Sequence, residues 1–264
     1  MLPFAPSVAI GLRDVAVRFR VPRRRIPTLK EWAIRRVTSR LLYEDFRGLD
    51  GVSMEVAKGR SLGVIGANGA GKSTLLRVIA GILTPTDGEV VVRGRVAPII
   101  ELGTGFDQEL SGRENVFFNG ALLGRSRAEM RERFDAIVDF AEIRDFIDAP
   151  LRTYSTGMAA RLAFSVATTV DADVILLDEI LAVGDEAFTT KCRERIASFR
   201  RAGVTILFVS HDMDAVRWLC DDALWLRDGR AAAVGSAMDV AADYRRWMGR
   251  DKPTARRLHG ADET

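Results

Sequence analysis

The sequence predicts an α/β fold: a phosphate-binding-loop core, with a mixed sheet and flanking helices, into which a helical subdomain is inserted. Three observations carry the prediction. The stretch Gly66-Ala67-Asn68-Gly69-Ala70-Gly71-Lys72-Ser73-Thr74 fits the pattern G-x-x-x-x-G-K-[ST]. An apolar run from Ser61 to Ile65 precedes it, and a helical pattern from Leu75 to Ala80 follows, stopped by Gly81 and Pro85. Later apolar strands at 173–177 and 204–210 alternate with helices, whereas about 107–170 reads as helix alone.

Residues 8–20 alternate through Val15, Val17 and Phe19 and predict a first strand. Residues 21–47 interrupt the pattern. Pro22 and Pro27 break the strand, and Thr28-Leu29-Lys30-Glu31 fits a capping box. Leu29, Trp32, Ala33, Val37 and Leu41 follow at helical spacing, so 28–42 predicts a basic, roughly amphipathic helix, either one that lies at a membrane interface or an ordinary helix with a solvated charged face. Gly51 to Val56 predicts a strand; Pro85-Thr86-Asp87-Gly88 is a turn signal, and 89–96 reads as strand or hairpin. Residues 101–112 are glycine-rich and read as loop. Helices joined by Gly124-Arg125-Ser126 run from Arg113 to Phe146, and another runs from Ser155 to Val170. A helix at 187–201 ends at Gly203, and one more starts near Asp212. A hairpin turns at Asp228-Gly229, and 237–249 is the last helix. The expected organisation is one nucleotide-binding domain over 1–249, a helical subdomain at about 107–170, a basic insertion at 21–47 and a polar basic tail at 250–264. No internal repeat is visible.

Composition is that of a globular protein, 47% hydrophobic and 28% charged over 264 residues. No apolar run approaches the roughly 20 residues of a membrane span, and the start lacks the basic and apolar regions of a signal peptide. Cys192 and Cys220 are isolated and read as buried apolar residues. The net charge of +3 is uneven: residues 18–47 carry ten basic and three acidic residues, net +7, which leaves −4 elsewhere. An acidic partner surface is expected near that segment.

The glycine loop lets backbone N–H groups close on phosphate oxygens, and the helix N-terminus adds positive potential. Lys72 can reach the β- and γ-phosphates of a nucleotide, and the Ser73 hydroxyl can hold Mg²⁺. Val174 to Leu177 ends in Asp178-Glu179: Asp178 is the metal-side carboxylate and Glu179 the general base for an attacking water. Phe208-Val209-Ser210-His211 repeats the arrangement, with the His211 imidazole placed for the γ-phosphate or the water. Ser155 and Gly157 open a helix, a combination that binds phosphate.

This order of motifs resembles an ABC transporter ATP-binding subunit over about residues 8–245, with an ABC-type P-loop NTPase core. Three details are similar to the polysaccharide exporter branch, which moves O-antigen, capsule or teichoic acid. They are the signature Tyr154-Ser155-Thr156-Gly157-Met158-Ala159-Ala160-Arg161-Leu162-Ala163-Phe164, the segment Ile180-Leu181-Ala182-Val183-Gly184-Asp185 after Glu179, and the stretch from Glu101-Leu102-Gly103 to Glu114-Asn115. The resemblance implies two copies paired head to tail. ATP would lie between the phosphate loop of one (Gly66, Asn68, Gly69, Ala70, Gly71, Lys72, Ser73, Thr74) and Ser155/Gly157 of the other. Asp185 would lie in the loop crossing that interface, and His211 would act as the switch. The family glutamine has no plain counterpart: Glu101 takes its place by spacing, a candidate contact to Mg²⁺, with Gln108 second. The adenine-stacking aromatic is Phe19 by position, with Tyr43 and Phe46 as alternatives. The resemblance further implies an integral membrane permease as partner, a lipid-linked polysaccharide near helix 28–42, with O-antigen or capsule ahead of teichoic acid, and a peripheral place on the cytoplasmic face of the inner membrane. Some such exporters carry a C-terminal carbohydrate-binding domain; recognition of a terminal glycan modification is not expected of this chain. The alternative is a soluble ABC ATPase acting on nucleic acid or ribosomes through the basic segment. The aromatic interleaving of a single-strand binder is thin, so no nucleic acid partner is expected.

Overall fold

The computed structural model describes residues 4–22, 43–100, 102–169, 171–178 and 184–250. Among these residues nine strands form two sheets. Strands β1 (Val8–Pro22), β2 (Tyr43–Ala57) and β4 (Asp87–Val92) make an antiparallel sheet in the order β2-β1-β4. The second sheet, ordered β5-β6-β7-β3-β8-β9, holds β3 (Ser61–Ile65), β5 (Val96–Ile99), β6 (Val174–Asp178), β7 (Thr205–Val209), β8 (Asp222–Arg227) and β9 (Arg230–Ser236). Its first five members run parallel, so their carboxyl ends share one edge; β9 is antiparallel to β8.

The parallel strands are apolar on both faces because both faces are covered. Leu62, Val64, Val174, Leu176, Leu207 and Val209 point to a core shared with the antiparallel sheet and helix α1 (Lys72–Ile79). Their neighbours Ile65, Ile175, Leu177, Ile206 and Phe208 point to the opposite core, against α5 (Glu186–Arg201), α6 (Met213–Leu219) and α7 (Ala237–Arg250). This period of two is the strand pleat. Helices α2 (Gly112–Leu122), α3 (Arg127–Ala141) and α4 (Thr156–Ala167) enclose a third core of Val116, Met130, Ile137, Val138, Leu162 and Val166. Each such side chain contributes about 1.5–3 kcal/mol through its burial.

Two expectations change. The interruption expected from residue 21 to 47 is narrower, because β1 and β2 stay paired through Arg18↔Arg47, Phe19↔Phe46 and on to Pro22↔Tyr43. Pro22 is tolerated because it closes the strand. The candidate helix 28–42 lies outside the described residues. Residues 89–96 do not form one strand or hairpin: β4 and β5 belong to different sheets. The chain switches between them at Arg93-Gly94. Gly94 has φ +96°, and an added Cβ would lie 2.5 Å from the Asp173 side chain. The Arg93 guanidinium is anchored on the carbonyls of Phe4, Ala5 and Val8 at 2.7–2.9 Å.

Candidate functional site at the carboxyl edge of the parallel sheet

The phosphate loop connects β3, at the centre of the sheet, to α1. Its conformation depends on glycine. Gly71 has φ +105°, and a Cβ there would lie 2.4 Å from the Gly48 carbonyl oxygen. A Cβ on Gly66 would lie 2.3 Å from the Leu226 carbonyl oxygen. Gly69, with φ +79°, faces open space at the exposed tip with Ala67 and Asn68. Ala70 is buried beneath the tip. Lys72 is 8% exposed, and its ammonium donates to the carbonyls of Gly66 at 2.9 Å and Ala67 at 3.1 Å. The cation is thus fixed inside the loop. Ser73 is exposed and Thr74 half-buried on the first turn of α1.

Strand register brings the other candidates to the same edge. Asp178 pairs with Val209 and Val209 with Val64, two residues before the loop begins. At about 4.8 Å per strand, Asp178 is roughly 10 Å across the sheet from β3. Ser210 donates its N–H to Val64 at 3.2 Å, and His211 follows it, exposed. Asp212 then caps α6 by accepting from Asp214 and Ala215. Glu101, Glu179 and residues 180–183 lie outside the described residues; the strands leading to positions 101 and 179 are neighbours, with Ile99 opposite Leu177.

Phe19 reaches this edge from the antiparallel sheet. A Cβ on Gly48 would lie 2.7 Å from the Phe19 ring and 3.1 Å from the Thr74 methyl, so both pack onto that glycine. Phe46, 56% exposed, lies across the pair with ring centroids 6.4 Å apart. The β8–β9 turn braces the loop from outside. Gly229 donates to Ala70 at 3.0 Å and accepts from the Asp50 N–H at 2.8 Å. The Asp50 carboxylate accepts from Arg230 and Arg47, which hold it below the usual carboxylate range.

Ser155 is the N-cap of α4; its hydroxyl accepts from Met158 N at 3.1 Å. A Cβ on Gly157 would lie 3.8 Å from the Ser155 hydroxyl, an ordinary contact. Tyr154 fixes the approach: its hydroxyl donates to the Phe146 carbonyl at 2.7 Å, and burial pushes the phenol up, so it remains a donor. A Cβ on Gly112 would lie 2.2 Å from that hydroxyl. The loop after β5 is laced to the same approach, with Arg152 donating to Gln108 and Leu151 to Leu110, both at 2.9 Å. Fully buried Asn115 accepts from Asp107 N–H and donates to the carbonyls of Asp107, Leu110 and Ser111. Asn115→Ala leaves those groups without a partner and is expected to cost about 2–4 kcal/mol. Thermal unfolding would register it as a fall in Tm of about 5–10 °C.

A family model described as ABC transporter matches residues 49–182, about half of the chain. A Klebsiella pneumoniae protein, "O-antigen export system ATP-binding protein RfbB", is 47% identical over 203 residues, 77% of this chain and 82% of that protein. The chain belongs to the ABC transporter family. A Myxococcus xanthus relative of the same name is 45% identical over 242 residues, 90% of this chain, which spans only 55% of that relative's length. "Teichoic acids export ATP-binding protein TagH" of Bacillus cereus is 40% identical over 76% of this chain and 36% of its own length. Among solved structures, a dimeric ATP-binding cassette with ADP and Pi superposes with TM-score 0.69 at 20% identity, over 86% of this chain and 98% of that one. That likeness establishes an ABC ATPase fold.

For this ABC chain, the structure brings Phe19, the residues of the phosphate loop, Asp178 and His211 to one edge. Ser155, Gly157 and Asp185 lie on helix starts of the second core and the helical region. Sequence reasoning missed the braces. Gly229 was legible as a turn residue, but its docking on Ala70 is 159 residues distant in the chain. The capping boxes Ser111–Glu114 and Ser126–Glu129 were legible as S-x-x-E and mark where α2 and α3 begin. Arg161, which donates to both Glu142 and Asp185, stands in the signature stretch, but nothing in the sequence marked its partners.

Proposed function

We propose that this chain is the ATP-hydrolysing subunit of an exporter of lipid-linked polysaccharide, O-antigen or capsule ahead of teichoic acid, acting with a membrane permease. The single observation that carries the ATPase reading is the shared edge of β3, β6 and β7, where the phosphate loop, Asp178 and His211 meet. The substrate class rests on the names of the relatives. Among the described residues no helix is long and apolar enough to cross a membrane; the membrane partner, like the substrate class, rests on the relatives' names. Phe118 and Leu122, one turn apart on α2 and exposed, offer that partner an apolar surface.

The donors at this edge fit Mg²⁺. No group of three acidic, histidine or cysteine side chains among the described residues could hold a metal. Ser73 and Asp178 supply hard oxygen ligands of the kind that bind this ion together with nucleotide phosphates. Such an ion, once bound, would neutralise the charge that develops on the phosphates. The chain's own groups do the rest. Loop N–H groups and Lys72 orient the triphosphate. Phe19, with Phe46 beside it, stacks on the base. Glu179 takes a proton from the attacking water, and His211 holds the γ-phosphate side. Ser155 and Gly157 of a second copy close over the nucleotide, with Asp185 in the loop at the crossing, so ATP holds a homodimer that hydrolysis loosens.

The test is ATP hydrolysis by the wild type and Glu179→Gln, with molecular size measured in ATP and Mg²⁺. Turnover by the wild type is expected, with Glu179→Gln reduced about 100-fold or more yet held as a dimer by ATP. A Glu179→Gln protein that hydrolyses ATP at the wild-type rate removes Glu179 as the base.

A further inference from the structure

Arg161 stands six residues after the Ser155 cap and joins three helices through one guanidinium. Its Nη1 donates to Glu142 Oε2 at 2.8 Å and its Nη2 to Asp185 Oδ2 at 2.6 Å. The side chain is 18% exposed and lies over the Phe188 ring, 4.9 Å from its centroid. Its Nε borders Gly184, where an added Cβ would be 3.3 Å away. Glu142 is the left-handed C-cap of α3 and also accepts from Lys191 at 2.8 Å. Phe140, Phe164 and Phe188 pack beneath, with centroids 5.6–6.4 Å apart. Asp185 is therefore held at both oxygens: Oδ1 accepts from Phe188 N–H on its own helix, and Oδ2 accepts from Arg161 on α4.

We propose that Arg161 is a positioning residue that keeps the Gly184-Asp185 segment in register with the Ser155/Gly157 helix start, so that both meet a second copy's nucleotide together. The assignment rests on the head-to-tail sandwich proposed above. The geometry favours arginine specifically. One planar fork serves two carboxylates on different helices, whereas a lysine ammonium at this position reaches one of them. The cap bond from Phe188 sets Asp185 on α5; Arg161 is what relates that cap to α4. Among the described residues the partners of its guanidinium are Glu142, Asp185 and the Phe188 ring, none of them in the phosphate loop, so its loss acts on closure of the dimer and not on first capture of ATP.

The experiment uses the full chain with Arg161→Met, Arg161→Lys and Lys191→Met, each alone for turnover and each combined with Glu179→Gln for ATP-held dimerisation. Arg161→Met is expected to weaken the dimer about 10-fold or more and to lower kcat by a similar factor. ATP affinity of the dilute monomer should change by less than about 2-fold, and Arg161→Lys should recover part of the loss. Lys191→Met, which touches Glu142 but not Asp185, should leave the dimer constant within about 3-fold. An Arg161→Met protein that dimerises and turns over like its parent overturns the assignment while the sandwich stands. Equal losses in Arg161→Met and Lys191→Met, with equal falls in Tm, reduce Arg161 to packing and overturn it as well. If the Glu179→Gln parent itself forms no dimer in ATP, the sandwich reading fails and the assignment falls with it.

Discussion

Lys72→Met is expected to lower ATP turnover by about 10²–10³-fold, the usual cost of removing one preorganised charge from a transition state. The ammonium is buried to 8% exposure and donates to the Gly66 and Ala67 carbonyls, so the loop presents it without the freedom of a surface lysine. Holding it there costs side-chain entropy once, during folding, and none when the nucleotide arrives. Methionine fills a similar volume but leaves two carbonyls without that donor, a cost of about 1–3 kcal/mol. A modest fall in Tm is therefore expected beside a large fall in kcat/KM. Steady-state hydrolysis and calorimetric ATP binding check this together. A variant with wild-type kcat/KM would show that the phosphates are not read by this loop.

Gly71→Ala is expected to destabilise the protein by about 3–5 kcal/mol and to abolish measurable nucleotide binding. Two costs add. At φ +105° an L side chain is strained by about 1–3 kcal/mol. The new methyl would also lie 2.4 Å from the Gly48 carbonyl oxygen, a backbone atom of β2 that can move only with its strand. The loop, the β2 segment under Phe19 and the first turn of α1 would have to separate. Gly69→Ala supplies the control. Its φ of +79° carries strain of about 1–2 kcal/mol, but nothing lies within 4 Å of the added carbon. Thermal unfolding should separate the two by about 5–10 °C. Equal shifts would show that conformational strain alone, and not the close approach of β2, sets the requirement for glycine.

The legible part of the site was the part made of contiguous residues. Gly66 to Thr74 declares a loop between strand and helix because glycine, lysine and hydroxyl must occur at fixed spacing to surround a phosphate. Val174 to Asp178 and Phe208 to His211 are legible for a similar reason: an apolar run that ends in a polar group marks the carboxyl end of a buried strand. The β1–β2 ladder was read too short. Pro22 and Pro27 suggested a break, yet pairing across the sheet carried β2 back to Tyr43. Residues 89–96 were read as one unit because local alternation does not reveal that two halves of a run join different sheets.

By itself the sequence determined the α/β class, the nucleotide chemistry, the order of the motifs and the family. These depend on local patterns: strand and helix periods, caps, and a loop whose chemistry lies within nine residues. Only the tertiary structure decided what supports that chemistry. Gly229 against Ala70, Gly48 between Phe19 and Thr74, Asn115 lacing 107–111, and Arg161 between Glu142 and Asp185 are contacts between separated or unpatterned positions. A hydrogen bond across such a distance leaves no period in the chain. It exists because burial of three apolar cores brings the elements together, and a single guanidinium or backbone N–H then satisfies whatever polar group it meets.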